Sequence, residues 1–128
     1  MSIKGQMLIS DGEVLDKFSI LAIKQIKISD KIKLSNIEKE ISHLRPVLLK
    51  ILSIDPSIEA LYNSLKSTNE KLWIIEDSIR IKEKLQQFDS EFIDLARQVY
   101  ITNDKRAYIK KQINLKTKSQ LIEEKSYE

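Results

Sequence analysis

Residues 55–87 read DPSIEALYNSLKSTNEKLWIIEDSIRIKEKLQQ, and this stretch decides the fold. Asp55-Pro56 is a helix start: an acidic cap, then proline at the first helical position, where no backbone N–H is missed. From there the helical pattern continues to about Gln87, on the order of 45–50 Å at roughly 1.5 Å per residue. Leu65, Leu72 and Ile79 recur every seven residues, as in a coiled-coil seam. A helix this long outreaches its neighbours in a small domain. Its overhang would expose apolar surface unless another chain covered it, so a homodimer formed through helix faces is expected.

The flanking segments are helical too. Upstream, a helix is predicted from about Lys31 to Leu52, with Leu34, Ile37, Ile41, Leu44, Leu48 and Leu52 as its apolar stripe. Pro46 is expected to kink or interrupt it near Ser42 to Arg45. Before that, Ser10 or Asp11 caps a first helix, and Glu13 and Asp16 stand near its positive dipole end. Val14, Leu15, Phe18, Leu21, Ala22 and Ile26 form its stripe, while Ile20, Ile23 and Ile28 add apolar surface on other sides. Such a helix belongs at the centre of a bundle or between two subunits. Met7-Leu8-Ile9 reads as an extended arm or a staple onto it. Downstream, Phe88-Asp89 marks a break with Asp89 as cap. A last helix then runs from about Ser90 to Leu115, with a falter expected at Thr102-Asn103-Asp104. The expectation is one all-α domain over residues 1–128: an antiparallel bundle of about four main helices, an N-terminal arm (1–9), and a polar tail (116–128) that packs back.

Composition narrows the function classes. The chain has 128 residues, 41% of them hydrophobic, enough for one core but not two. Only two glycines and two prolines occur, too few turn formers for a multi-stranded fold. The absence of cysteine excludes disulfide scaffolds, zinc-thiolate sites and cysteine nucleophiles. A single histidine, His43, excludes a multi-histidine metal centre within one chain. No run approaches the roughly 18 apolar residues of a membrane span, and the start lacks the apolar stretch of a signal peptide. A cytoplasmic home is the default expectation.

Polar residues on apolar stripes are the informative positions. Tyr62, Asn69, Glu76 and Glu83 share a heptad line beside the Leu65/Leu72/Ile79 seam. Glu76 and Asp77 flank Trp73, and Arg80 follows. On the last helix, Thr102 and Arg106 interrupt a face of Leu95, Val99, Ile109 and Ile113, with Asn103 beside them. Buried charge is costly unless paired, so these groups are expected to pair or to line a cleft. Glu76–Arg80 and Asp94–Arg97 also read as simple intrahelical pairs, worth about 0.2–0.5 kcal/mol each. In a cleft, Arg80, Arg97 and Arg106 would grip phosphate or carboxylate through their forked donors. Glu13, Asp16, Glu76 and Asp77 are the alternative set for a divalent cation. Lys105 to Lys118 holds six basic residues with Tyr108 interleaved. A basic last turn suits the helix dipole and the acidic Glu123-Glu124 follows, so nucleic acid is not the expected partner.

Several stretches resemble a small family of uncharacterised bacterial and phage helical proteins. They are Gly12-Glu13-Val14-Leu15-Asp16-Lys17, then Leu72 to Arg80, then Phe92 to Ala107 with its Thr102-Asn103-Asp104, then Ile113-Asn114, and finally Glu123-Glu124-Lys125-Ser126-Tyr127. The resemblance covers nearly the whole chain and departs from it at Ala22, where the family usually carries glutamate. It implies no activity. It adds Lys17, Glu123, Glu124 and Tyr127 to the candidate positions and implies that the tail closes the polar cluster.

The expected function is therefore a non-catalytic helical module that binds a partner protein or a small anionic ligand through a polar interhelical groove, without a cofactor. The candidate residues are Glu13, Asp16, Lys17, Glu76, Asp77, Arg80, Arg97, Thr102, Asn103, Arg106, Glu123, Glu124 and Tyr127. The alternative is a Mg-dependent nucleotide pyrophosphohydrolase, in which clustered carboxylates on helices hold Mg²⁺. Glu13-x-x-Asp16 matches that enzyme pattern only in part.

Overall fold

The computed structural model describes residues 7–125. It has four helices, α1 (Asp11–Lys27), α2 (Lys31–Leu52), α3 (Ser57–Lys84) and α4 (Ser90–Thr117), and no strand among the described residues. None of these helices is long and apolar enough to cross a membrane.

Side-chain caps define where the helices begin. Ser10 Oγ accepts from Glu13 N at 3.1 Å, Asp30 from Lys33 N at 2.9 Å, and Asp89 from Phe92 N at 3.0 Å. Each satisfies a backbone donor that the first turn leaves unpaired. Asp55 does the same for Ser57 N at 2.8 Å, and Pro56 stands as the cap residue of α3, one place earlier in the helix frame than the sequence predicts.

Short links turn the chain back between α1 and α2 and between α3 and α4, so each pair forms an antiparallel helical hairpin. Lys82 bridges the second link, reaching Asp89 at 3.0 Å and Glu91 at 2.7 Å. Its hydrogen bond, followed by that from Phe92 N, holds the Asp89 carboxyl below the usual carboxylate range.

Helix α1 is central and packs against all three of the others. Its Val14, Leu15, Phe18 and Leu21 meet Ile37, Ile41 and Leu48 of α2, Ile58 and Leu65 of α3, and Ile109 and Ile113 of α4 in one core. Ile26, placed on the α1 stripe by periodicity, is 76% exposed near the helix end. Met7, Leu8 and Ile9 are exposed and do not staple onto α1; residues 1–6 of the expected arm lie outside the described residues.

Two expected interruptions are absent. Helix α2 runs through Pro46 unbroken. Ser42 and Pro46 are both exposed, so the carbonyl that loses its N–H donor is on the water side and can be solvated. Helix α4 runs through Thr102-Asn103-Asp104 as well. The propensity penalty of these residues is only a few tenths of a kcal/mol each, and packing of the Thr102 face on α1 and α3 outweighs it. Consequently α3 does not outreach every other helix: α4 has the same 28-residue length and lies along it. The far part of these two helices is a two-helix arm in which Ile79, Leu95 and Val99 are half-buried, while Ile74 and Ile81 of α3 and Ile93 and Tyr100 of α4 stay exposed.

Helices α1 and α4 approach each other closely at Gly12. Its N–H donates to Asn114 Oδ1 at 2.6 Å, and a Cβ there would lie 2.6 Å from the Lys110 carbonyl oxygen. Gly12→Ala must therefore push α1 away from α4. It is expected to cost about 1–3 kcal/mol, read as a lowered midpoint in urea unfolding; a midpoint at or above the wild-type value would refute the close contact.

Candidate functional site

The polar centre of the molecule is Asp16. It lies one turn into the α1 core face and is 1% exposed. Arg106 of α4 answers it with a two-pronged contact, Nε to Oδ1 at 2.9 Å and Nη2 to Oδ2. Asn69 of α3 donates to the same Oδ1 at 2.9 Å and to Ser19 Oγ at 2.8 Å, and Ser19 Oγ donates to the Asp16 carbonyl at 2.7 Å. One carboxylate thereby ties three helices together. Hydrogen bonding to Asp16 raises the Arg106 pKa further above its ordinary value, against the opposing effect of burial. The charges of Asp16, Glu13 and Glu76 act in the same direction.

A second layer flanks this pair. Lys110, one turn beyond Arg106, donates to Glu13 at 2.6 Å. At the N-terminus of α1, Asp11 N donates to Ser119 Oγ at 3.1 Å, and Ser10 Oγ donates to Glu123 at 2.9 Å. Lys118 makes this return possible: its left-handed conformation (φ 54°) reverses the chain, and Ser119 N closes the helix on the Asn114 carbonyl at 2.9 Å. Further along, Lys111 pairs with Glu124 at 2.7 Å and Lys125 with Asp104. Residues 119–125 thus run back over α4 and seal the start of α1. Tyr127 lies outside the described residues.

Beside Arg106, between α1, α3 and α4, is a cavity of about 310 Å³. Ile20, Ile23 and Leu72 form its apolar floor, and Lys24, Asn69, Trp73, Glu76, Asn103 and Arg106 its polar and aromatic walls. Lys24 makes no ion pair among the described residues. Among the described residues the Asn103 side chain accepts only a long 3.5 Å contact from Arg106 Nη1.

The structure brings Glu13, Asp16, Asn103 and Arg106 together, places Glu76 on the rim of the cavity, and sets Glu123 and Glu124 in the tail contacts. It does not bring Lys17, Asp77, Arg80 or Arg97 to them; all four are exposed. Lys17 and Asp77 follow Asp16 and Glu76 directly, a 100° rotation away from the groove. Arg97 is nine residues before Arg106, two and a half turns, which puts it on the opposite side of α4. Neither Glu76–Arg80 nor Asp94–Arg97 forms an ion pair among the described residues. Thr102 faces the core at 3% exposure, and its hydroxyl has no hydrogen-bond partner among the described residues. The carboxylates read as a Mg²⁺ set do not gather: among the described residues no group of three or more acidic or histidine side chains is placed to hold a metal ion. Both oxygens of Asp16 are already taken by the guanidinium.

Ser19, Lys24, Lys110 and Asn114 were not legible as site residues. Each is an ordinary helix residue in sequence, and only the crossing of α1 with α3 and α4 gives it a partner or a cavity. Asn69 did carry a signal, as a polar residue on the heptad line beside Leu65 and Leu72. Comparison of the chain with protein families, with curated proteins and with solved structures finds no match in any of the three.

Removing Arg106 leaves a buried, uncompensated carboxylate. Arg106→Met is expected to destabilise the fold by about 3–5 kcal/mol, and the double variant Asp16→Leu/Arg106→Met to recover most of that loss. Chemical denaturation of the three proteins checks this; a single variant as stable as wild type would show the pair to be dispensable.

Proposed function

We propose that this protein is a non-catalytic helical module whose groove between α1, α3 and α4 binds a small anionic ligand. The observation that carries this reading is the pairing of Lys24, a half-buried cation with no counter-ion among the described residues, with Arg106 on one concave surface walled by Trp73. A cation held in a partly desolvated notch attracts an anion more strongly than the same group in bulk water. The Arg106–Asp16 contact fixes one wall of the notch, so little ordering is needed on binding.

Trp73 is the single tryptophan of the chain, so its fluorescence reports on the groove directly. A panel of small carboxylates and phosphates, titrated at low ionic strength, is expected to include at least one that gives a saturable change. Lys24→Gln should weaken that binding by about tenfold, the effect of one charge-assisted hydrogen bond. No saturable change across the panel would refute the reading.

The exposed apolar side of the α3–α4 arm supports a second proposal, that a further copy of the chain covers it. Ile74 and Ile81 stand one heptad apart on α3, as Ile93 and Tyr100 do on α4, and all four are more than half exposed. Rows of this spacing suit helix-to-helix packing, and a stable interface needs about 800 Å² from each partner. Light scattering should give a dimer mass for the wild type and a monomer mass for Ile74→Lys/Ile81→Lys at unchanged helicity. A wild-type monomer throughout the accessible concentration range would refute the dimer.

A further inference from the structure

Lys24 of α1 and Glu76 of α3 line the same 310 Å³ cavity, yet neither makes an ion pair or a side-chain hydrogen bond among the described residues. Opposite charges on one concave surface that served only the fold would be expected to pair with each other. Each instead has a companion of its own kind. Arg106 spends Nε and Nη2 on Asp16, and its Nη1 has only the long contact with Asn103, so donors remain beside Lys24.

Asn69 is the companion of Glu76. It is 5% exposed, and its amide nitrogen donates to Asp16 and to Ser19. The Asp16 carboxylate can only accept, which fixes the nitrogen on that side and leaves the carbonyl oxygen over. No described residue donates to this oxygen. Unlike the Thr102 hydroxyl it is not sealed off, so it opens on the cavity that Asn69 lines. Asn69, Leu72, Trp73 and Glu76 stand at i, i+3, i+4 and i+7 and share one face of α3. Acceptors on α3 therefore face donors on α1 and α4 across the apolar floor of Ile20, Ile23 and Leu72.

We infer that the ligand is a free α-amino acid with an apolar side chain. Its carboxylate meets Lys24 and Arg106 Nη1, its ammonium meets Glu76 and the Asn69 carbonyl, and its side chain lies on the apolar floor. This rests on the anion-binding reading of the groove and names the ligand class for it. Beyond the internal Arg106–Asp16 pair, the cavity carries one cation and one anion. A simple anion gains at Lys24 and loses at Glu76, whereas a molecule that bears both charges gains at both. The volume is at the lower end of the roughly 300–1,000 Å³ found for ligand cavities, which suits a molecule this small.

The test is calorimetric titration of the full chain at low ionic strength with leucine, methionine, phenylalanine and glycine, with the N-acetyl and amide derivatives of the first three, and with acetate and inorganic phosphate. The tightest amino acid should bind at least about tenfold more strongly than its N-acetyl derivative, its amide or glycine, and it should change Trp73 fluorescence. Glu76→Gln should bring the amino acid and its N-acetyl derivative within about twofold of each other, and Lys24→Gln should do so for the amino acid and its amide. Neither residue has a partner among the described residues, so both variants should keep wild-type helicity. An N-acetyl derivative as tight as the free amino acid, or an unchanged preference in Glu76→Gln, would overturn the ammonium seat and leave the anion-binding reading intact. Binding of acetate or phosphate without any amino acid would do the same to the whole inference. Glycine as tight as the others would overturn the apolar side chain. An amide as tight as the free acid, or no binding by any anion, would overturn both this inference and the anion-binding reading.

Discussion

A carboxylate that is almost wholly removed from water at the centre of a helical bundle must be answered by a cation and by hydrogen-bond donors, because its desolvation is otherwise worth several kcal/mol against folding. Asp16 is that group, and most of the polar architecture follows from meeting its demand. Arg106 must lie opposite α1 in one rotation of α4, and Asn69 must lie opposite it in one rotation of α3. Apolar contacts alone tolerate sliding of one helix past another; a two-pronged guanidinium contact does not. The Asp16–Arg106–Asn69 network therefore fixes the register of three helices that the apolar core only holds together.

That register decides where the cavities fall. Because Arg106 points inward to Asp16 from α4, its remaining nitrogen stands at the junction of two spaces, one walled by Trp73 and one by Lys110 and the tail. Gly12 contributes from the other end. Its lack of a side chain lets α1 approach the α4 backbone, which brings Ser10 and Asp11 within reach of Ser119 and Glu123. The tail contacts are thus a consequence of a close helix crossing rather than an independent feature. Within the Lys105–Lys118 charge run, Arg106 pairs with Asp16, Lys110 with Glu13 and Lys111 with Glu124 of the tail, so half of its six cations have internal partners.

The helical architecture was largely legible. Periodicity, the caps at Ser10 and Asp89 and the Asp55-Pro56 start placed four helices within a few residues of their ends. Local breaker signals were less reliable. Pro46 and Thr102-Asn103-Asp104 each looked like an interruption, and neither is one. Pro46 survives because its unpaired carbonyl is on the wet side, and Thr102 because its face is packed. Of the candidate site, Arg106 stood out as a charge on an apolar face, whereas Asp16 read as a helix-dipole residue and half of a Glu-x-x-Asp pair. Arg97 and Arg106 were both candidate cleft arginines, yet half a helical turn separates a central ion pair from a solvated side chain.

What the sequence determined by itself is the one-dimensional information: which segments are helices, which faces are apolar, and that some charges on those faces would require partners. These follow from backbone propensities and from the repeat of side chains along a single helix, both local properties. Which charges pair, which cavity they border and which backbone groups the tail closes depend on how helices distant in sequence cross. Those choices are made by close packing and by the cost of an unmatched buried charge, which act between elements and leave no periodic trace in the chain.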